Sequence, residues 1–277
     1  MSFFRTISVL ALAALTAGAA GCGKNSEDMT PAGEHLTKDS QTTEIIVLAA
    51  ASLSDAFSEL KEKFENSHPG VKVLYSFGGS GALQAQIEAG AKADVFVSAS
   101  LKQMNALREK NLMNDRTIRN FLENKIVLVV DGESHADVSS FYDLASDKIK
   151  RLALGEFSSV PAGMYAKEIL ISLGILDTAL PKAVFGSDVR AVLAWVESGD
   201  ADAGIVYATD AMSSQKVKIA AAAPEGSCAK VIYPAGMIKD SAHAKDSLQF
   251  LEYLFASDAQ KIFKKYGFDV LSAEGNN

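Results

Sequence analysis

The chain has 277 residues, 48% of them hydrophobic and 22% charged, which supplies apolar material for a sizeable core and a length that permits two domains. Lys plus Arg number 27 against 34 Asp plus Glu, a formal charge of −7 with no basic run of the kind nucleic acid requires. The same mild acidity gives no long-range attraction for an anion, so an anion site here must work through local dipoles and hydrogen bonds.

In chain order, Arg5 precedes an apolar run from Ile7 to Ala20, the length of a secretory signal and too short to span a bilayer comfortably. The segment Thr16-Ala17-Gly18-Ala19-Ala20-Gly21-Cys22 ends in small residues before a cysteine and resembles the cleavage site of bacterial lipoproteins, whose new N-terminal cysteine receives lipid. Residues 1–21 are thus expected to be a signal peptide and Cys22 a lipid anchor. The alternative is an ordinary export signal cut near Ala20, with Cys22 an incidental thiol. Residues 22–43 are polar, include Pro31 and Gly33, show no periodic apolar face, and read as a flexible tether. An acylated Cys22 leaves Cys228 as a lone thiol, with no intramolecular disulfide.

From Glu44 the chain alternates short β-branched runs with amphipathic stretches. Ile45-Ile46-Val47-Leu48 reads as a buried strand, and Ser54 to Phe64 as a helix with Phe57, Leu60 and Phe64 on one face. Val71 to Phe77 is a strand, Ala82 to Ala89 a helix, Asp94 to Val97 a strand and Leu101 to Leu112 a helix. A second series begins with the strand Ile126 to Val130. Further strands are predicted at Arg151 to Leu154, Gly204 to Tyr207, Val217 to Ala220 and Val231 to Tyr233, and helices from Gly163 to Leu173 and Val189 to Glu197. Ala244 to Phe255 and Asp258 to Tyr266 are helical, with Lys264, Lys265 and Gly267 as a stop signal. The pattern predicts an α/β fold with a largely parallel sheet, in two lobes: 44–124 plus 234–277, and 125–233. Two such lobes facing each other form a cleft at the carboxyl ends of their strands.

Five strand-to-helix junctions are built from small, donor-rich residues: Ala51-Ser52-Leu53, Gly79-Ser80-Gly81, Pro161-Ala162-Gly163, Asp188-Val189-Arg190 and Tyr207-Ala208-Thr209. A helix start leaves its first N–H groups without intrahelical partners and carries partial positive charge, which an oxyanion can use. Ser52, with Asp55 three residues on, also reads as a helix N-cap with an acidic partner. Glycines around Ser80 would let a ligand approach the backbone. Ala162 and Val189 offer N–H groups, and Tyr207 a phenol at a strand end. Lys167 and Arg190, the nearest positive charges, read as solvent-facing.

These segments resemble a family, the molybdate-binding proteins of bacterial ABC importers. The resemblance is carried by Leu48-Ala49-Ala50-Ala51-Ser52-Leu53, Phe77-Gly78-Gly79-Ser80-Gly81, Gln86-Ile87-Glu88-Ala89-Gly90 and Ala93-Asp94-Val95-Phe96, then by Val160-Pro161-Ala162-Gly163, Asp188-Val189-Arg190, Gly204-Ile205-Val206-Tyr207 and Phe263-Lys264-Lys265-Tyr266-Gly267-Phe268. It runs in order over nearly everything from Glu44 to Phe268. It implies a two-lobed periplasmic-binding-protein-like fold of type II, no enzymatic activity and no cofactor. The ligand it implies is molybdate or tungstate, held by Ser52 and Ser80 from one lobe and Ala162, Val189 and Tyr207 from the other. An ABC permease partner, a monomer, and a membrane-anchored position facing the periplasm or cell exterior go with it. The glycines flanking Ser80 depart from relatives that carry more serines there.

Three other readings stand beside this one, one of them a purely structural lipoprotein. The same donors would suit a sulfate or general oxyanion receptor. Gly78-Gly79-Ser80-Gly81-Ala82 also approaches a nucleophile elbow, with Asp188 or Asp210 and then His243 following in hydrolase order. Against that stand Ala82 in place of the final glycine and the lack of an HGGG-type segment. His35, His68 and His135 are weaker still as bases, and the scattered histidines suggest no metal site.

Overall fold

β-branched and alanine-rich runs that would be costly to expose form the strands of two separate sheets. A computed structural model of the chain describes residues 42–134 and 137–271. The expected signal peptide, Cys22 and the tether up to residue 41 lie outside them, as do His35 and His135. In chain order the elements are β1 (Thr43–Ala50), α1 (Ser54–Ser67), β2 (Val71–Gly78), α2 (Ser80–Glu88), β3 (Val95–Val97), α3 (Leu101–Glu109), β4 (Arg119–Asn124) and β5 (Ile126–Asp131). There follow β6 (Leu152–Gly155), α4 (Pro161–Ser172), α5 (Leu176–Ala179), β7 (Ala183–Gly186), α6 (Val189–Glu197), β8 (Ala203–Tyr207), α7 (Ala208–Met212) and β9 (Val217–Ala222). The last are β10 (Val231–Met237), α8 (Ala244–Tyr253), α9 (Ser257–Lys265) and β11 (Asp269–Val270). Among the described residues no helix is long and apolar enough to cross a membrane.

The first sheet has the order β11-β4-β10-β3-β1-β2 and the second β7-β6-β8-β5-β9. Both are mixed, not largely parallel. β1 runs parallel to β2 and β3, and β6 parallel to β7 and β8, but β10 is antiparallel to β3 and β4, and β5 antiparallel to β8 and β9. A parallel neighbour needs a helical crossover that returns the chain to the same end of the sheet. β5 and β10 are entered from the other sheet instead, and run the opposite way. β10 also corrects the expected second series: Val231 to Tyr233 pair with Asn124 to Leu122 in the first sheet.

Helices cover both faces of the first sheet. On one side Phe57 and Phe64 of α1 meet Phe250 of α8 edge-on, with ring centroids 6.2 and 5.3 Å apart, and Phe263 of α9 closes the cluster. On the other, Leu83 and Ile87 of α2 and Met104 and Leu107 of α3 pack on Leu48 and Phe96. α9 ends where Gly267 takes φ +85°, a left-handed turn that lets the Phe268 N–H donate to Phe263 and the Gly267 N–H to Lys264. This packing leaves the carboxyl ends of β1, β2, β6, β7 and β8 leading into the five predicted junctions.

Candidate functional site

All five predicted residues, Ser52, Ser80, Ala162, Val189 and Tyr207, line one small pocket. They reach it from both sheets, each at the start of a helical turn. Ala162 follows Pro161 at the head of α4, where proline needs no N–H partner, and Val189 opens α6. Asp188 spends its carboxylate as the cap of α6, accepting from the Ala191 N–H at 3.0 Å. That turns an acidic residue of the pocket wall toward its own helix.

Ser52 does not cap a helix. It lies in the 3-10 turn Ala51–Leu53, α1 starts two residues later, and neither start has a side-chain cap. Its hydroxyl sits 2.9 Å from that of Tyr233. Asp55, its expected partner, instead meets Arg190 Nη2 at 2.7 Å. Ser80 is the first residue of α2 and is fully buried; its oxygen accepts from the Ala99 N–H at 3.0 Å, which fixes the side chain while leaving its proton to donate.

Tyr207 is 1% exposed, and its hydroxyl has no hydrogen-bond partner among the described residues. Its ring stands edge-on to Tyr233, with centroids 5.9 Å apart. Burial, reinforced by Tyr233 and other neighbours, raises its pKa well above the ordinary tyrosine value, so it stays a protonated donor. A buried donor without an acceptor costs about 1–3 kcal/mol, and a bound anion would remove that cost.

Arg190 is not solvent-facing. Its Nε lies 2.7 Å from Asp210 Oδ1 while Nη2 holds Asp55, so the guanidinium is shared between α7 and α1. Asp210 is completely buried, and burial pushes its carboxyl up to about 7 although the adjacent Arg190 pulls it down. Lys167 is exposed and lies 5.5 Å over the Phe157 ring. The donor set around the pocket is therefore neutral: helix-start N–H groups, two serines and a tyrosine. A larger groove along α1 is lined by Asp55, Glu59 and Glu62, and its Lys265 is engaged by Glu59, so the groove carries a net negative charge.

The glycines of the Ser80 segment admit protein as well as ligand. The Gly81 N–H donates to the Ser159 carbonyl at 2.8 Å, and a Cβ on Gly81 would lie 2.5 Å from that oxygen. A Cβ on Gly79 would lie 2.6 Å from the Ser187 carbonyl. The loops ahead of α4 and α6 thus touch the start of α2 backbone to backbone.

The hydrolase arrangement does not assemble. His243 Nδ1 is 3.3 Å from Asp94 Oδ1, just before β3, whereas Ser80 is bound to Ala99, beyond the other end of that strand. Asp188 caps α6 and Asp210 pairs with Arg190. Among the described residues no group of three or more His, Cys, Asp or Glu is placed to hold a metal ion. Cys228 is half-buried, and burial pushes its thiol up to about 11, which keeps it protonated.

Sequence reasoning missed Tyr233, Asn124 and Thr209, which form a buried polar line behind Ser52, and the Arg190 bridge. Their partners lie far off in sequence, 181 residues for Ser52–Tyr233 and 135 for Asp55–Arg190, and no local pattern signals them.

The family model of bacterial extracellular solute-binding proteins matches residues 45–269. YvgL of Bacillus subtilis, provisionally named an ABC transporter substrate-binding lipoprotein, is 39% identical over 96% of this chain and 98% of its own. The molybdate-binding protein ModA of Haemophilus influenzae is 38% identical over 82% of this chain and 90% of its own. The periplasmic molybdate-binding protein of Azotobacter vinelandii shares the fold with a TM-score of 0.74, at 23% identity over 82% of this chain and all of that one. The chain belongs to the bacterial extracellular solute-binding protein family, alongside the molybdate-binding proteins that it resembles.

Proposed function

We propose that the chain is the solute receptor of an ABC importer, that its solute is molybdate or tungstate, and that Ser52, Ser80, Ala162, Val189 and Tyr207 hold it. The observation that carries this reading is the unpartnered, fully buried Tyr207 hydroxyl in a pocket lined by the other four residues. A tetrahedral dianion has acceptors only, so a pocket of donors satisfies it. A proton on the ligand would meet another donor at a cost of about 1–3 kcal/mol, which disfavours hydrogen phosphate. Sulfate carries no proton at neutral pH and would be separated by size.

In this reading the receptor has two lobes, 44–124 with the returning chain, and the residues from 125 to the end of β9. The pairing of β10 supports starting the return at residue 231 instead of 234. Neither lobe holds the full donor set, so ligand favours the arrangement in which they meet, and a permease can read that state. Ligand then stabilises the fold by about 4 kcal/mol at roughly a thousandfold excess over the dissociation constant. Cys22 anchors the receptor by lipid outside the cytoplasmic membrane, as the lipoprotein name of the Bacillus relative supports, and it acts as a monomer.

Calorimetric titration with molybdate, tungstate, sulfate and phosphate at one pH and salt concentration tests the reading. One-to-one binding of molybdate and tungstate with weak sulfate is the expected result. Equal binding of sulfate would make this a general oxyanion receptor, and no binding of any would overturn the assignment.

A further inference from the structure

Behind the pocket a line of buried polar groups runs from Ser52 to the join between the two sheets. Tyr233, in β10, is fully buried with its hydroxyl 2.9 Å from Ser52 Oγ. Asn124, the last residue of β4, donates from Nδ2 to Tyr233 Oη at 3.3 Å and to Thr209 Oγ1 at 2.9 Å. The other end of the amide is fixed too. The Lys125 backbone N–H donates to Asn124 Oδ1 at 2.8 Å, and an N–H can bond only the oxygen of that amide.

Hydrogen-bond direction then follows by counting protons. The amide nitrogen has protons and no acceptor, so Tyr233 Oη accepts from Asn124. Either hydroxyl could donate in the Ser52–Tyr233 pair, and the direction that gives the buried Tyr233 proton an acceptor is donation to Ser52 Oγ. Ser52, having accepted it, keeps its own proton for a partner in the pocket. Tyr233 fills one lone pair of Ser52, so accepting from a ligand on the other would turn the Ser52 proton to a direction with no acceptor among the described residues.

We propose that Tyr233, oriented by Asn124, is a positioning residue that fixes Ser52 as a donor toward the pocket and so makes this wall reject anions that carry a proton. The inference rests on the receptor reading and adds the source of its selectivity among oxyanions. Burial raises the Tyr233 phenol far above its ordinary pKa, so the middle proton of the relay is held throughout the physiological range. Asn124 stands where the chain passes from one sheet to the other, and Thr209 in α7 is bonded to it, so the relay ties the donor direction of Ser52 to the join itself.

The test is titration of the wild type and of Tyr233→Phe, Ser52→Ala and the double variant with molybdate, sulfate and inorganic phosphate at pH 7.5. Melting without ligand checks that each variant is folded. In Tyr233→Phe the Ser52 hydroxyl is free to turn. Molybdate and sulfate are expected to weaken together, by about tenfold, while phosphate weakens less, so the molybdate-to-phosphate ratio contracts and the molybdate-to-sulfate ratio holds. In the Ser52→Ala background, Tyr233→Phe changes neither ratio further. Asn124→Ala, which keeps both hydroxyls, contracts the phosphate ratio in the same direction. Equal weakening of all three anions, or a Tyr233→Phe effect that persists without the Ser52 oxygen, would overturn the relay while leaving the receptor reading intact. Failure of the wild type to bind any of the three would overturn the receptor reading itself.

Discussion

The two walls of the pocket supply donors in different ways. On the wall from the first sheet, both serine hydroxyls are already held by a second group, Ser52 by Tyr233 and Ser80 by the Ala99 N–H. On the wall from the second sheet, Ala162 and Val189 offer only backbone, and the Tyr207 hydroxyl has no hydrogen-bond partner among the described residues. The contrast is one of orientation. A backbone N–H at a helix start is aimed by the helix, whereas a hydroxyl rotates and must be aimed by a neighbour. The wall with a nearby cation does not present it, because Arg190 is engaged by two carboxylates.

The largest effect is expected from breaking that engagement. Arg190→Ala leaves Asp210 buried without a counter-charge, a loss of about 3–5 kcal/mol in urea unfolding. The Asp210 carboxyl is raised to about 7 with the guanidinium beside it and rises further without it. A folded-state pKa above the unfolded one means that the native protein binds the extra proton, so stability falls as pH rises from the ordinary aspartate value through the folded one. The Arg190→Ala deficit should therefore be larger at pH 8 than at pH 5. A deficit independent of pH would trace the loss to packing.

Next in size is Tyr207→Phe, which removes one hydrogen bond to a charged ligand, about 1.5–3 kcal/mol of binding or roughly tenfold to a hundredfold in affinity. The hydroxyl is unpartnered without ligand, so melting of the free protein should not fall. Ser52→Ala sharpens the contrast, because it strands Tyr233 and should lower the free protein's stability as well as its affinity. If both variants behaved alike in the absence of ligand, the distinction between the walls would fail.

Gly81→Ala comes last and tests whether the walls must touch. The added carbon would press on the Ser159 carbonyl, and overpacking of this kind costs about 1–3 kcal/mol. The expected outcome is weaker molybdate binding by calorimetry, with the free protein's melting temperature maintained because alanine favours α2 more than glycine does. Wild-type affinity would mean that the contact at Ser159 is dispensable.

Much of this was legible in the sequence because strand and helix periods are local. The predicted starts of α3, α6 and α8 match the observed ones, and the small-residue junctions pointed to the pocket lining. What failed was long-range. Ser52 looked like a cap because Asp55 stood three residues on, but the hydroxyl is claimed by Tyr233 in a strand from the far end of the chain. Arg190 looked solvent-facing because neither Asp55 nor Asp210 lies on its own helix. β4, Arg119 to Asn124, escaped notice because its polar alternation is weak, and with it went the mixed order of the first sheet.

The join at Lys125 has a consequence for how this chain can vary. A single residue separates β4 from β5, and its N–H is the group that keeps the Asn124 amide from turning over. Here length matters more than the identity of the Lys125 side chain, which is largely exposed. One inserted or deleted residue would move that N–H and shift the strand register, turning side chains to opposite faces. Insertions and deletions among related chains should therefore avoid residues 124–126 and gather in stretches such as 223–230, where the chain crosses between the sheets with length to spare.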